Sequence, residues 1–226
     1  MDFAAVAAAL IELGLTPRGG FHPTAEDGVP ALPGGRPTAT LLLTGNTGPA
    51  MWQTFSQRRQ TADEHHALDR WTRRVLEPLA EALGGHALFP FGGPPHLPFQ
   101  RCAQRAEPVH PSPIGPLIHT RHGLWHAYRG ALAFPGHIEL PAIERDPSPY
   151  ETCADKPCLT SCPVGALTLD GYDVAACAAH IAGPAGADCM AHSCRARRAC
   201  PVGRKFTYGA EQSRFHMAAF LRAQGA

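Results

Sequence analysis

The chain has no apolar run long enough to cross a bilayer as a helix, which takes about 20 residues. It has almost no net charge. Its 20 Lys and Arg stand against 19 Asp and Glu, leaving +1, so bulk charge gives no reason to expect nucleic acid or a membrane surface. The first residues, Met1-Asp2-Phe3, lack the basic stretch that opens a secretory signal. Outside residues 153–200 there is a single cysteine, Cys102. What remains is globular in composition, with 44% hydrophobic and 17% charged residues. Gly and Pro, at 23 each, stay below the low-complexity range and imply many tight turns. With 226 residues, one sizeable domain and a small one are expected.

The seven remaining cysteines crowd into two similar halves. The first reads Cys153-x4-Cys158-x3-Cys162-Pro163-Val164-Gly165. After Cys177, the second reads Cys189-x4-Cys194-x5-Cys200-Pro201-Val202-Gly203. This is an internal repeat, and each Cys-Pro ending is the way ferredoxin-type iron–sulfur motifs close. Thiols at metal-like spacing with no export signal favour a reducing cytoplasm and ligation over disulfides.

In the two-cluster arrangement, the Cys-Pro cysteine of each half ligates the cluster of the other half. One cluster then takes Cys177, Cys189 and Cys194 with Cys162 crossing over. The other takes Cys153, Cys158 and the crossing Cys200, which leaves it one thiolate short. A C-x2-C start would put the missing ligand at Tyr150. That cluster therefore has a non-cysteine ligand such as Tyr150, an open iron, or only three irons. One [4Fe-4S] and one [4Fe-4S] or [3Fe-4S] cluster are expected. Zinc on four of the cysteines is the competing assignment, and lone Cys102 reads as a buried small hydrophobe. Arg195, Arg197, Arg198, Arg204 and Lys205 around the last cysteines are either a solvated face, compensation for an anionic cluster, or a docking patch for an acidic donor. No aromatic interleaving supports nucleic acid.

Upstream, residues 2–14 predict a helix stopped by Gly14, residues 16–37 a long loop, and residues 38–44 a buried strand. Residues 45–48 predict a turn, with Thr47 capping a helix that carries Met51, Trp52 and Phe55. A second helix from about His66 to Leu83 has an apolar stripe of Leu68, Trp71, Val75, Leu76 and Leu79, with Pro78 inside it. A strand at residues 87–89 runs into the Gly/Pro loop through Pro95, and residues 98–106 predict a short helix carrying Cys102. Residues 116–119 and 124–134 predict two strands joined tightly, with His122 and His126 on one face and His119 on the other. The class is α+β. Expected boundaries are 1–145 for an α+β domain, 146–208 for an iron–sulfur domain, and 209–226 for an amphipathic helix packed on the first domain.

Two stretches resemble known families. The cysteine order across residues 150–203 is similar to the C-terminal ferredoxin domain of epoxyqueuosine reductases and reductive dehalogenases, with departures at Tyr150 and in the wider C-x4-C spacings. The resemblance implies two clusters that deliver electrons to a cobalamin. Ile118, His119, Gly123, Trp125, Arg129 and Gly130 resemble the Ile-His-Pro-x-x-Gly-Gly-Trp-…-Arg-Gly segment of CblC-type cobalamin-processing proteins, with Thr120 and Leu124 departing from it. Thr47-Gly48-Pro49-Ala50-Met51 is similar to a second motif of that family. This implies a nitroreductase-type α+β domain that binds base-off cobalamin and removes its upper ligand reductively.

Read on residue types, the pocket candidates are Phe91 and Gly92 in the Gly/Pro loop, with His119, Trp125 and Arg129, whose aromatic walls and cation suit a large macrocycle. No acid/base constellation marks a catalytic residue. The expected function is delivery of electrons to a corrinoid, supporting cobalamin reduction or upper-ligand removal. The implied partners are a low-potential donor (a reductase or ferredoxin) and the corrinoid. A plain electron carrier with a docking domain and a corrinoid-dependent reductase of an organic substrate are the alternatives, so an oxidoreductase is indicated without being separated from a carrier.

Overall fold

The computed structural model describes residues 2–58 and 66–225. The chain divides into two compact units. The first comprises residues 1–108 and 127–145, the second residues 109–126 and 146–226. The expected boundary near residue 146 is thus half of the division: the second unit also takes the stretch from Val109 to His126.

The first unit is built on a four-stranded sheet in the order β1-β2-β6-β3. Its strands are β1 (Thr16–Phe21), β2 (Thr40–Thr47), β3 (His86–Leu88) and β6 (His126–Phe134). β1 and β2 are antiparallel with an irregularity between Pro17 and Gly20, and β3 is antiparallel to β6. β1 falls where a loop was expected. Pro17 and Gly19-Gly20 speak against a strand, but β1 is an edge strand, and Gly19 takes φ +66° where a Cβ would lie 2.2 Å from the Ala106 oxygen. β2 also runs three residues past its predicted end, so Thr47 closes a strand and does not cap a helix. Gly45 explains the extension, since a Cβ there would stand 1.9 Å from the Ala127 oxygen of β6.

Around the sheet lie α1 (Phe3–Glu12), α2 (Ala50–Arg58), α3 (Ala67–Ala82) and α4 (Phe99–Ala106). Of the predicted stripe α3 buries Leu68, Trp71 and Leu76, with Val75 and Leu79 half-buried and Ala80 buried beside them. Trp71 meets Phe55 of α2 edge-on at 5.8 Å, and Met51 and Phe55 are fully buried. Cys102 on α4 is buried among apolar residues, and burial pushes its thiol pKa up.

The second unit consists of short elements. A two-stranded sheet pairs β4 (Val109–His110) with β5 (Ile118–His119). The two strands expected at residues 116–134 therefore do not pair with each other: one joins β4 and the other the large sheet. The helices are α5 (Pro149–Thr152), α6 (Pro157–Thr160), α7 (Val174–Ala182), α8 (Ala187–His192), α9 (Arg195–Ala199) and α10 (Ala210–Ala223). α10, expected on the first domain, packs against α8 and α7 of its own unit. An amphipathic stripe predicts burial but does not say against what. An apolar core of Ile114, Ile118, Leu124, Leu167 and Ala196 includes Cys200, with Cys158, Cys194 and Val202 packed on it. Among the described residues no helix is long and apolar enough to cross a membrane.

Candidate functional site

The seven clustered cysteines all lie in the second unit, on or beside its helices. Proline starts or ends these elements. Pro149 and Pro157 open α5 and α6, while Pro163 and Pro201 follow Cys162 and Cys200, so no helix runs on through either Cys-Pro thiol.

Cys153, Cys158 and Cys200 line one hollow together with Tyr150. Its other walls include Ile114, Ile118, Leu124, Pro157 and Val202. Cys153 and Cys200 are 47 positions apart in sequence, so folding brings them together. Burial pushes the Cys158 thiol pKa up, and the neighbouring Cys200 and Cys153 sulfurs push it further. Backbone N–H groups act the other way: those of Cys158 and Leu159 favour the Cys158 thiolate, and that of Val202 favours the Cys200 thiolate. Tyr150 lies under the Lys156 ammonium, 4.6 Å from its ring centre. Ser112, also in the wall, donates its hydroxyl to the Pro116 carbonyl at 2.5 Å.

The other four thiols form a second set. Burial raises the Cys177 pKa, and the Cys162 and Cys189 sulfurs raise it further. Burial again leads at Cys194, where Cys177 and Cys189 add to it. The Ala166 N–H donates to the Cys162 sulfur at 3.4 Å, the Tyr172 hydroxyl favours the Cys177 thiolate, and the Ala196 and Arg197 N–H groups favour that of Cys194. Among the described residues, no group of three or more His, Cys, Asp or Glu is placed to hold a metal ion. A set of thiols around a cluster is wider than one around an ion, because each thiolate binds a different iron.

The basic residues near the last cysteines turn out to be divided. Arg195 and Arg198 both pair with Asp188, the first at 2.7 Å. Arg197 donates to the Leu124 carbonyl and lies 4.6 Å from the ring centres of both Trp125 and Tyr208. Arg204 stands close enough to Cys200 to favour its thiolate. Asp188 thus pairs with two of the cations and offsets one charge between them, while Arg197 is turned to the Leu124 carbonyl.

The five corrinoid-pocket candidates separate between the units. Phe91, Gly92 and Arg129 are together in the first. The Arg129 guanidinium lies 5.2 Å from the Phe91 ring centre, and Arg73 lies 4.6 Å from Phe89 and 5.5 Å from Phe91. Arg129 also pairs with Asp69 and reaches Thr72 at 3.4 Å. Sequence reasoning missed Arg73, whose helical spacing marks it only as solvent-facing. His119 and Trp125 belong to the second unit and are buried.

The three histidines expected on opposite strand faces instead come together. Their ring centres are 4.1 Å apart for His119 and His122, and 5.8 Å for His119 and His126. The cause is a tight turn in which His119 and Gly123 exchange backbone hydrogen bonds at 2.9 Å. Its left-handed Gly123 packs backbone to backbone against Val202-Gly203, where a Cβ would sit 2.1 Å from the Val202 oxygen. The Cys200-Pro-Val-Gly ending and the His119–Gly123 turn therefore lock each other. His119 Nδ1 accepts from the Arg121 N–H at 2.9 Å, which places the proton of the neutral ring on Nε2.

No protein-family model matches the chain, and no curated protein matches it. Among solved structures it is similar to a B12-trafficking protein of C. elegans, CblC, described as a homologue of human MMACHC. The likeness covers 97% of this chain and 95% of that one, at 14% identity and a TM-score of 0.53. At that identity it shows the fold: mixed helix and sheet of the CblC kind.

Proposed function

We propose that the protein is an iron–sulfur redox protein whose second unit carries electrons to a corrinoid held by the first. The observation that carries the iron–sulfur part is the shared hollow of Cys153, Cys158, Cys200 and Tyr150. Three thiols from both halves of the repeat meet there behind apolar walls, which suits a large polarisable anion more than water. Cys162, Cys177, Cys189 and Cys194 would hold the second cluster, a [4Fe-4S]. The first would be a [4Fe-4S] or [3Fe-4S] completed at Tyr150 or left open. Loaded in this way, the unit provides one-electron steps at low potential, and a corrinoid provides the redox-active cobalt.

The chain's own groups have defined tasks in this reading. Backbone N–H groups at Cys158, Cys194 and Cys200 stabilise thiolate charge, which raises the potential. Ile118 and Leu124 keep water from the first thiol set. Phe91 with Arg73 and Arg129 offers an aromatic and cationic surface to an amide-rich macrocycle. Leu124, in the wall of the hollow, is only five residues of chain from Arg129. The CblC-like fold supports the corrinoid, because the similar protein is a B12-trafficking protein. A low-potential reductase or ferredoxin would be the electron source, in the cytoplasm. Because all seven clustered thiols lie in the second unit, an electron carrier whose first unit only docks a partner is the second reading.

Titrating cyanocobalamin or hydroxocobalamin into anaerobically purified, cluster-loaded protein separates these readings. The corrinoid reading expects a base-off spectrum, then reduction once a low-potential donor is added. An unchanged cobalamin spectrum at micromolar protein would leave the carrier. Arg129→Leu should weaken cobalamin binding about tenfold while leaving the iron content unchanged.

A further inference from the structure

The second unit leaves large apolar side chains on its surface in one place. Among the described residues the exposed large hydrophobics are Ile11, Val164, Leu169 and Tyr172, so all but the first share one short stretch. Scattered singly such residues mean little, but a group of them marks a surface that another molecule covers. The stretch is a hairpin. The Asp173 N–H donates to the Ala166 carbonyl at 2.8 Å, the Thr168 N–H donates to the Gly171 carbonyl at 3.0 Å, and Leu167 bridges Tyr172. Leu167 is sunk in the core of the unit, which holds the hairpin by its base. Leu169 at the tip is 77% exposed.

Two thiols lie at the foot of this hairpin, and both are half-buried. Cys162 directly precedes it and accepts the Ala166 N–H, while the exposed Tyr172 favours the Cys177 thiolate. The charge at the hairpin is of one sign. Asp170 and Asp173, both exposed, are the only charged residues from Pro157 to Ala187.

On these grounds we infer that the hairpin of residues 163–173 is the docking face for the electron donor. The donor it fits is a flavoprotein reductase that presents an apolar patch rimmed by Lys and Arg. This rests on the iron–sulfur reading above. An apolar centre inside a charged rim is the common anatomy of a protein interface. The aspartates attract a basic rim and repel an acidic ferredoxin. A donor seated here meets the side chains that touch Cys162 and Cys177, so electrons enter through the second thiol set. One hydride from NADPH gives the reductase's flavin two electrons. They cross one at a time, each lowering the charge of a cluster by one, and the hydride's proton goes to solvent.

The test uses anaerobically loaded full-length protein with ferredoxin–NADP reductase as the probe, and iron and sulfide are measured first. Protein without sulfide sinks the iron–sulfur reading itself. The docking face is then still tested by calorimetric titration with the oxidised reductase, which needs no cluster. Leu169→Gln and Asp170→Lys both change the exposed tip. Each should weaken reductase binding about tenfold and slow NADPH-driven cluster reduction by about the same factor, with reduction by dithionite unchanged. Added salt should weaken wild-type binding, and should weaken that of Asp170→Lys less. Wild-type protein that the reductase neither binds nor reduces overturns the inference. Variants that bind as wild type does, tighter binding by Asp170→Lys, or an equal loss with dithionite also overturn it. A wild-type dimer that Leu169→Gln makes monomeric would give the face to a second copy, and binding of wild type to neutral lipid vesicles would give it to a membrane. Either result overturns the assignment to a donor.

Discussion

Cys162→Ser is expected to abolish the cluster bound by the second half of the repeat and to spare the one bound by its own half. Cys200→Ser should do the converse. Each variant should retain roughly half of the wild-type iron. The reason is the partition of the sulfurs. Cys200 lines the hollow with Cys153 and Cys158, whereas Cys162 is an electrostatic neighbour of Cys177. The EPR signal left in Cys162→Ser should therefore match that left in Cys177→Ser, and differ from that left in Cys158→Ser. If Cys162→Ser instead matches Cys158→Ser, the halves bind independently and the crossed arrangement is wrong. The effect is large because a cluster that loses a thiolate in an apolar hollow has few other ligands available.

Arg18→Met should destabilise the first unit by about 3–5 kcal/mol. Arg18 is fully buried, and its Nε and Nη2 hold Glu107 at 2.9 and 2.6 Å. Glu107 also accepts the Tyr128 hydroxyl at 2.8 Å, and the guanidinium lies 4.8 Å from the Tyr128 ring centre. Arg18 donates further to the Asn46 carbonyl, tying β1 to β2. Removing the guanidinium leaves a carboxylate in the interior without its counter-ion. The double variant Arg18→Met, Glu107→Gln should recover most of the loss, since the buried charge then disappears as well. Denaturant unfolding of the four proteins of this cycle measures it. A loss below about 1 kcal/mol in Arg18→Met would show that the pair is solvated in solution.

The legibility of the sequence follows the range of the forces involved. The cysteine repeat and its Cys-Pro endings are local and could be read from spacing, whereas the meeting of Cys153 with Cys200 in one hollow depends on folding. α3 could be read because its stripe spans sixteen residues of one period. β1 was hidden by Pro17 and its glycines, whose usual meaning is reversed at an edge strand held against Ala106. The three histidines were separated by applying strand alternation through a turn that Gly123 closes. That turn depends on Gly203, eighty positions away, so nothing near it in the chain announces it. The pocket candidates divided because Trp125 and Arg129, four residues apart, belong to different units. Gln212 left no signal either: a glutamine in an amphipathic helix reads as solvent-facing, yet this one is fully buried.

The central claim is that the two thiol sets hold two iron–sulfur clusters. Iron and acid-labile sulfide, determined per chain on anaerobically prepared protein, test it most directly. The account predicts roughly seven to eight of each, with little zinc. Zinc at about one or two atoms per chain, with no sulfide, would contradict it.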